Sequence, residues 1–408
     1  MFSASLFYFL EKYISVFFIA ILGFLLAKIL TPSDFGILNN AEAIIAIFSI
    51  FSLQGIDQLI QRELINKKRY INSIMYAAFI IKAISILLYF ILFCFFCFFS
   101  YKNDSNLIKL LILLTPLIVA KGFLFFSSTI ITENKYKNFF YIGAITYSIF
   151  FIIKFIFIFY FRNIYILAFL MSLEGATLSL IYFLHYKNQY SFSSEKLYFF
   201  IKKMYKEGMF LTLSSAMIII YSKIDQIYIG AMLGYIELSQ YALSSKILML
   251  YIIPSTVFTM SYIHKLTKKN ENYASIAKDM LIKSIILGII LAIICAITTP
   301  WLIDLLYGNK FDEAKKYILL QCILIPLSFL LNTTGRILVI EKMSKFIFYR
   351  NIIALIINII FGFLFIKYLG AYGAITITII CYMLSSFIFI LIDKKTFFIF
   401  KRILNNEI

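Results

Sequence analysis

Apolar runs of 20 or more residues follow one another along nearly the whole chain, separated by short clusters of charged and turn-forming residues. A helix needs about 20 residues to cross the roughly 30 Å of bilayer hydrocarbon. Cutting at the clusters gives twelve apolar segments of spanning length, at 6–30, 37–60, 71–99, 107–131, 139–161, 164–185, 208–233, 240–263, 279–303, 317–340, 347–366 and 373–392. The predicted class is an all-α polytopic membrane protein. Composition agrees, since 62% of the 408 residues are hydrophobic, 14% are charged, and mean hydropathy is +0.93. Soluble domains do not reach such values. The first run has no basic n-region and no small-residue cleavage site, so it is expected to remain as a spanning helix.

Charge then orients the segments. Alternate connections carry 22 Lys and Arg on one side and 6 on the other, which predicts that the lysine-rich side and both termini are cytoplasmic. Trp301, the only tryptophan, falls at the outer end of the ninth segment, where an indole suits the interface. The net charge of +18 is scattered between apolar runs and forms no aromatic-interleaved patch, so nucleic acid is excluded as a partner. Five cysteines in apolar stretches imply neither a disulfide framework nor a zinc site, and the Cys94-x-x-Cys97 pair lacks the electropositive setting of a reactive thiol. His185 and His264 flank the cytoplasmic ends of segments. No Ser/His/Asp grouping, metal spacing or phosphate-cradling glycine loop occurs, so no cofactor is implied and ATP hydrolysis is excluded.

The outer connections are short, the longest running from Asp304 to Lys316. The longest cytoplasmic connection, 187–207, interleaves Lys196, Lys202, Lys203 and Lys206 with Leu197, Phe200, Ile201 and Met204, the pattern of a helix lying in an anionic interface. It divides the chain into a six-helix lobe at 1–186 and a second at 208–392, followed by a basic tail at 393–408. The lobes share sequence. TENKYKNFFY at 132–141 matches IEKMSKFIFY at 340–349 through Glu133 and Glu341, Lys137 and Lys345, Phe140 and Phe348, and Tyr141 and Tyr349, each pair 208 residues apart. A turn after Leu30 likewise echoes one after Leu233. Six helices per lobe makes the repeat parallel, and substrate sites in such proteins lie between the lobes.

Charges inside the apolar segments single out candidate residues, because each costs on the order of 2.5–3.5 kcal/mol at the bilayer centre. Lys82 lies roughly 16 Å into its segment at 1.5 Å per residue. Lys121 and Lys154 also lie well inside theirs, against one deep carboxylate, Glu174. In the second half, Asp225 and Lys246 sit at similar depth on adjacent segments and are expected to pair, as a neutralised couple or as a gating and ion-coupling site, with Lys223 nearby. Glu42 with Lys28 and Asp57 with Lys12 repeat that arrangement in the first half. Lys28, Lys109 and Lys283 lie near segment ends and are expected to snorkel. Arg62 and Arg336 read as interfacial anchors, with phosphate contact as the alternative, since Arg binds phosphate in bidentate fashion. Pro116, Pro254 and Pro326 are expected to kink their segments.

AKILTPSDFGILNNAEAIIAIFSIFSLQGIDQLIQREL resembles the opening of the Wzx-like O-antigen and polysaccharide flippases of the multidrug/oligosaccharidyl-lipid/polysaccharide exporter superfamily. Leu30, Pro32, Asp34 and Gly36 fit that family's turn, with Thr31 in place of Gly, and Gly55, Asp57, Arg62 and Glu63 follow. Lys223, Asp225, Ile229 and Gly230 fit its seventh helix. Tyr307-Gly308 and the closing Gly370, Gly373 and Ala374 resemble its end. The resemblance covers nearly the whole chain. It implies a non-enzymatic transporter of the bacterial inner membrane that flips a polyprenyl-diphosphate-linked oligosaccharide by alternating access, beside polysaccharide polymerase machinery and coupled to H+ or Na+. Such a cargo needs buried cations, and three deep lysines against one glutamate are expected to leave an uncompensated positive cavity, with Lys82, Lys121 and Lys154 on the diphosphate and Asp225, Lys246 and Glu174 as gating or coupling groups. Two other functions remain open, an ion-coupled small-molecule antiporter of the same superfamily and a membrane-embedded glycan polymerase or ligase. The last predicts essential outer-loop Arg or His, of which the outer loops hold only Arg162.

Overall fold

A computed structural model describes residues 2–100, 104–133, 135–267 and 273–405. Lys102, Lys268 and Lys269, and the side chains of Lys12 and His264, lie outside the described residues. The chain divides into two compact units, Met1–Lys223 and Ile224–Ile408. The first contains α1 (Phe2–Ile29), α2 (Pro32–Phe48), α3 (Gln54–Asn66), α4 (Ile71–Ser100), α5 (Ser105–Phe123), α6 (Ser127–Thr132), α7 (Tyr136–Phe161), α8 (Ile164–Lys187) and α9 (Leu197–Lys203). The boundary falls within α10 (Met209–Met232). The second unit continues with α11 (Tyr235–Thr267), α12 (Tyr273–Tyr307), α13 (Asp312–Gln321), α14 (Leu324–Ile340), α15 (Ser344–Leu369), α16 (Ala371–Met383), α17 (Phe389–Ile392) and α18 (Lys394–Asn405).

Nine helical runs among the described residues are long and apolar enough to cross a membrane, and Tyr13–Ile29 and Leu324–Ile340 are shorter apolar helices. With α10 they account for every predicted segment. Several segments are not single helices, however. The second breaks between α2 and α3 at Ser49–Leu53, the fourth at Leu124–Phe126, and the tenth at Cys322–Ile323, just before Pro326. Pro326 therefore sits in the first turn of α14, where a proline's missing N–H costs little. Its Cα packs against Gly288 of α12, where an added Cβ would come within 2.7 Å. Pro116 and Pro254 stay inside α5 and α11.

The internal repeat folds alike in both units. Between α6 and α7 the backbone bonds Glu133 N to Thr129 O at 3.0 Å, Lys135 N to Ile130 O at 3.0 Å and Phe139 N to Lys135 O at 3.2 Å. Between α14 and α15, Glu341 N bonds Ile337 O at 2.9 Å, Met343 N bonds Leu338 O at 2.8 Å and Ile347 N bonds Met343 O at 3.2 Å, the same pattern 208 residues on. The turns after Leu30 and Leu233 also match, with Leu30 N on Leu26 O and Leu233 N on Ile229 O. Thr31 caps α2, its Oγ1 accepting from Asp34 N at 3.1 Å, with Pro32 at the first helical position.

Two polar segments turn out to be docked. In 187–207 the apolar stripe of α9 buries Phe200, and Met204 in the following π turn is buried beside it, in the core built from Ile56, Leu59, Ile60 and Ile74. Lys203 pairs with Glu63 at 2.7 Å, and Arg62 with Glu207 at 2.5 Å. The expected basic tail is the amphipathic α18, capped by Asp393 on Thr396 N at 2.9 Å, with Phe400 and Ile403 buried in the core of the second unit and Lys394, Lys395 and Lys401 exposed.

Candidate functional site

The break in the second segment creates the most unusual polar site of the first unit. Ser49–Ser52 winds as a tight 3-10 turn, and Leu53 closes it in the left-handed region at φ 53°. A side chain other than Gly held there costs roughly 1–2 kcal/mol. The carbonyls freed by the break are taken up from α4, where Ser85 Oγ donates to Phe51 O at 2.8 Å and Lys82 Nζ to Ser52 O at 3.1 Å. The Lys82 ammonium also lies 2.6 Å from Asp57 Oδ1, in the first turn of α3, and 5.3 Å from the Phe125 ring centre. Lys82 is fully buried. It joins the two halves of the broken helix, with its charge balanced by Asp57, which also has the favourable sign for a helix N-terminus.

A second buried pair lies further along the unit. Lys154 of α7 is bonded to Glu174 of α8. Tyr147, about two turns before Lys154, has Glu11, Ser15 and Glu174 as its polar neighbours, and Glu11 of α1 is itself buried against Gly143. The expectation of three uncompensated lysines therefore fails for two of them: Lys82 holds Asp57 and Lys154 holds Glu174. Asp57, expected with Lys12, belongs to Lys82.

Lys121 differs. It is half-buried on α5, roughly 16 Å from the end of the run at Thr132. Among the described residues it makes no ion pair, and the charges that act on it are Glu42 and a second cation, Lys223. Thus Lys121, Lys223 and Glu42, singled out separately, fall in one neighbourhood. An apolar groove of about 310 Å³ is lined by Phe90 of α4, Ile112, Pro116 and Phe123 of α5, and Ala176 of α8. Ala120, the chain neighbour of Lys121, also lines it. Lys28 is exposed, as is Arg62, which is held by Glu207.

In the second unit Asp225 is buried, accepts from the Tyr241 hydroxyl, and receives the Gln226 amide at 2.8 Å. Lys246 is half-buried on α11, the helix that carries Tyr241. Arg336 is half-buried on α14 and makes no ion pair among the described residues. Sequence reading missed three groups. Glu11 was hidden by proximity to the chain's start, Tyr241 carries no charge to mark it, and Arg350, counted with a cytoplasmic connection, is buried within α15.

A family model described as polysaccharide biosynthesis protein matches residues 3–262, and a MatE model matches residues 211–364. No curated protein matches the chain. Among solved structures, the lipid II flippase MurJ in an inward closed conformation superposes with a TM-score of 0.76 at 16% identity, covering 99% of this chain and 90% of that one. An inward-facing multidrug resistance MATE family transporter of the MOP superfamily gives 0.67 at 12% identity, covering 96% of each. A MOP superfamily transporter from Pyrococcus furiosus gives 0.60 at 13% identity, covering 97% of this chain and 94% of that one. The fold is that of this exporter superfamily.

Proposed function

The chain belongs to the polysaccharide biosynthesis protein family, and from that premise we propose that it is a flippase for a polyprenyl-diphosphate-linked oligosaccharide. In this reading the repeat unit passes from the cytoplasmic to the outer leaflet of a bacterial inner membrane by alternating access, supplying O-antigen or capsule assembly and its polymerase. Both termini are cytoplasmic in this reading, which the excess of Lys and Arg on that side supports.

The observation that carries the reading is Lys121, a cation at membrane depth with Glu42 and a second cation, Lys223, near it and no ion-pair partner among the described residues. A diphosphate brings the missing anionic charge, and charge-assisted hydrogen bonds to it are about twice as strong as neutral ones. The groove beside α5 offers hydrocarbon-lined space for part of a prenyl chain. Lys82 and Lys154 act differently: each must exchange its carboxylate for phosphate to reach the cargo, so they serve as latches that a diphosphate can release. Asp225 and Lys246 in the second unit and, separately, Glu174 in the first are the candidate groups for H+ or Na+ coupling.

The MatE match over residues 211–364 favours one second reading, an ion-coupled small-molecule antiporter. Proteoliposomes separate the two. A flippase makes a fluorescent polyprenyl-diphosphate oligosaccharide accessible in the opposite leaflet and discriminates against the same oligosaccharide on an uncharged lipid. An antiporter leaves both in place and moves small organic cations down an imposed ion gradient.

A further inference from the structure

Arg350 is a buried charge that the translocation reading does not use. It lies seven residues into α15, about 9 Å from the helix start at 1.5 Å per residue, and is 5% exposed. Nη1 donates to Ser385 O at 2.9 Å, a carbonyl in the π turn Leu384–Ile388, whose wider winding displaces backbone groups from regular helical pairing. Nε has no partner, and no carboxylate lies within ion-pair distance among the described residues. A guanidinium carries five donors that cannot be deprotonated. One bond to a carbonyl leaves most of them, and the whole charge, unanswered.

Gly335 leaves room beside it. At Gly335 of α14 an added Cβ would meet a single atom within 4 Å, Nη2 of Arg350 at 3.8 Å. The neighbouring Arg336 also lacks an ion-pair partner among the described residues, and Lys342, on the turn joining α14 to α15, and Lys345, in the first turn of α15, are exposed. The arrangement is a planar fork beside unfilled space, at the lysine-rich end of the helices and about one helical turn and a half below it.

We propose that Arg350, reached past Gly335, binds the phosphate of a membrane lipid, and that Arg336 adds to the local positive field. The ligand chemistry is a lipid-borne phosphodiester or diphosphate, bound by the fork in the bidentate geometry that Lys cannot reproduce. The site belongs to the second unit alone and stands whether or not the protein flips oligosaccharides.

The test is binding to the purified full-length protein in neutral detergent, read by native mass spectrometry and thermal shift, with phosphatidylglycerol, geranylgeranyl diphosphate and inorganic phosphate as separate probes. Wild type is expected to bind at least one of the two lipids. Arg350→Gln and Arg350→Lys are expected to weaken that binding about tenfold or more, the size of losing a hydrogen bond to a charged group. Gly335→Leu keeps the charge but fills the space, and is expected to weaken binding likewise, which carries the test even if the Arg350 variants fail to fold. Response to phosphatidylglycerol alone assigns the site to bilayer lipid, and response to geranylgeranyl diphosphate alone assigns it to prenyl diphosphates. Binding that survives both Arg350→Gln and Gly335→Leu, binding of inorganic phosphate alone, or no binding by wild type overturns the proposal.

Discussion

The two units handle buried carboxylates in different ways. In the first, acids meet lysines across helix contacts: Asp57 with Lys82, Glu174 with Lys154, and Glu63 with Lys203. In the second, Tyr241 reaches the buried Asp225 and Tyr317 the half-buried Glu237, while the half-exposed Asp279 holds both Tyr262 and Lys283. A lysine cancels a carboxylate's charge, whereas a tyrosine orients the group without cancelling it. The first unit thus closes these acids in ion pairs, one of which joins the halves of a broken helix, with Lys121 standing apart from them. The second orients Asp225 and Glu237 with tyrosine hydroxyls and holds a buried arginine whose bond goes to a carbonyl.

Removing one member of a closed pair should cost most. Lys82→Ala leaves Asp57 without its cation and Ser52 O without its donor, and is expected to lower stability by about 3–5 kcal/mol. Lys82→Met combined with Asp57→Leu removes both charges and is expected to recover much of that loss, since two uncharged partners need no compensation. Unfolding in SDS-titrated micelles measures both, and a double variant no more stable than Lys82→Ala would contradict the role of Lys82 as a balanced latch. A tyrosine removed from an acid should cost less. Tyr241→Phe deletes a hydrogen bond to a charged group, worth about 1.5–3 kcal/mol, and a loss as large as that of Lys82→Ala would erase the distinction between the units. The smallest effect is expected at the exposed Arg62–Glu207 pair. Glu207→Ala should change stability by no more than about 1 kcal/mol, with the difference fading as salt is raised. A larger, salt-insensitive change would mean that 187–207 depends on this bridge and not on the burial of Phe200 and Met204.

The helices were legible in the sequence because hydrocarbon thickness and turn chemistry leave a plain record of apolar length and polar punctuation. Their interruptions were less so. The second segment breaks at Leu53, a residue with no special liking for the left-handed region, and only the packing of Lys82 and Ser85 on the freed carbonyls makes that break stable. Depth marked Lys82 as unusual, but its partner follows from the contact of α3 with α4, which no spacing rule encodes. Arg350 falls in the first turn of the predicted segment 347–366, yet counts with the connection before it because Lys342 and Lys345 precede it closely. In the structure α15 begins at Ser344, so the helix carries Arg350 inward. The match of TENKYKNFFY with IEKMSKFIFY, by contrast, was readable in both sequence and backbone, since the same helix-stop turn is made by the same residue types.

The most direct test of the account is reconstituted translocation of a fluorescent polyprenyl-diphosphate oligosaccharide by wild type, Lys121→Ala and Lys121→Arg at matched protein levels. The account predicts transport by wild type, a loss of at least tenfold in Lys121→Ala, and substantial retention in Lys121→Arg, because a cation at that depth is what the diphosphate requires. Transport by Lys121→Ala at the wild-type rate would contradict it.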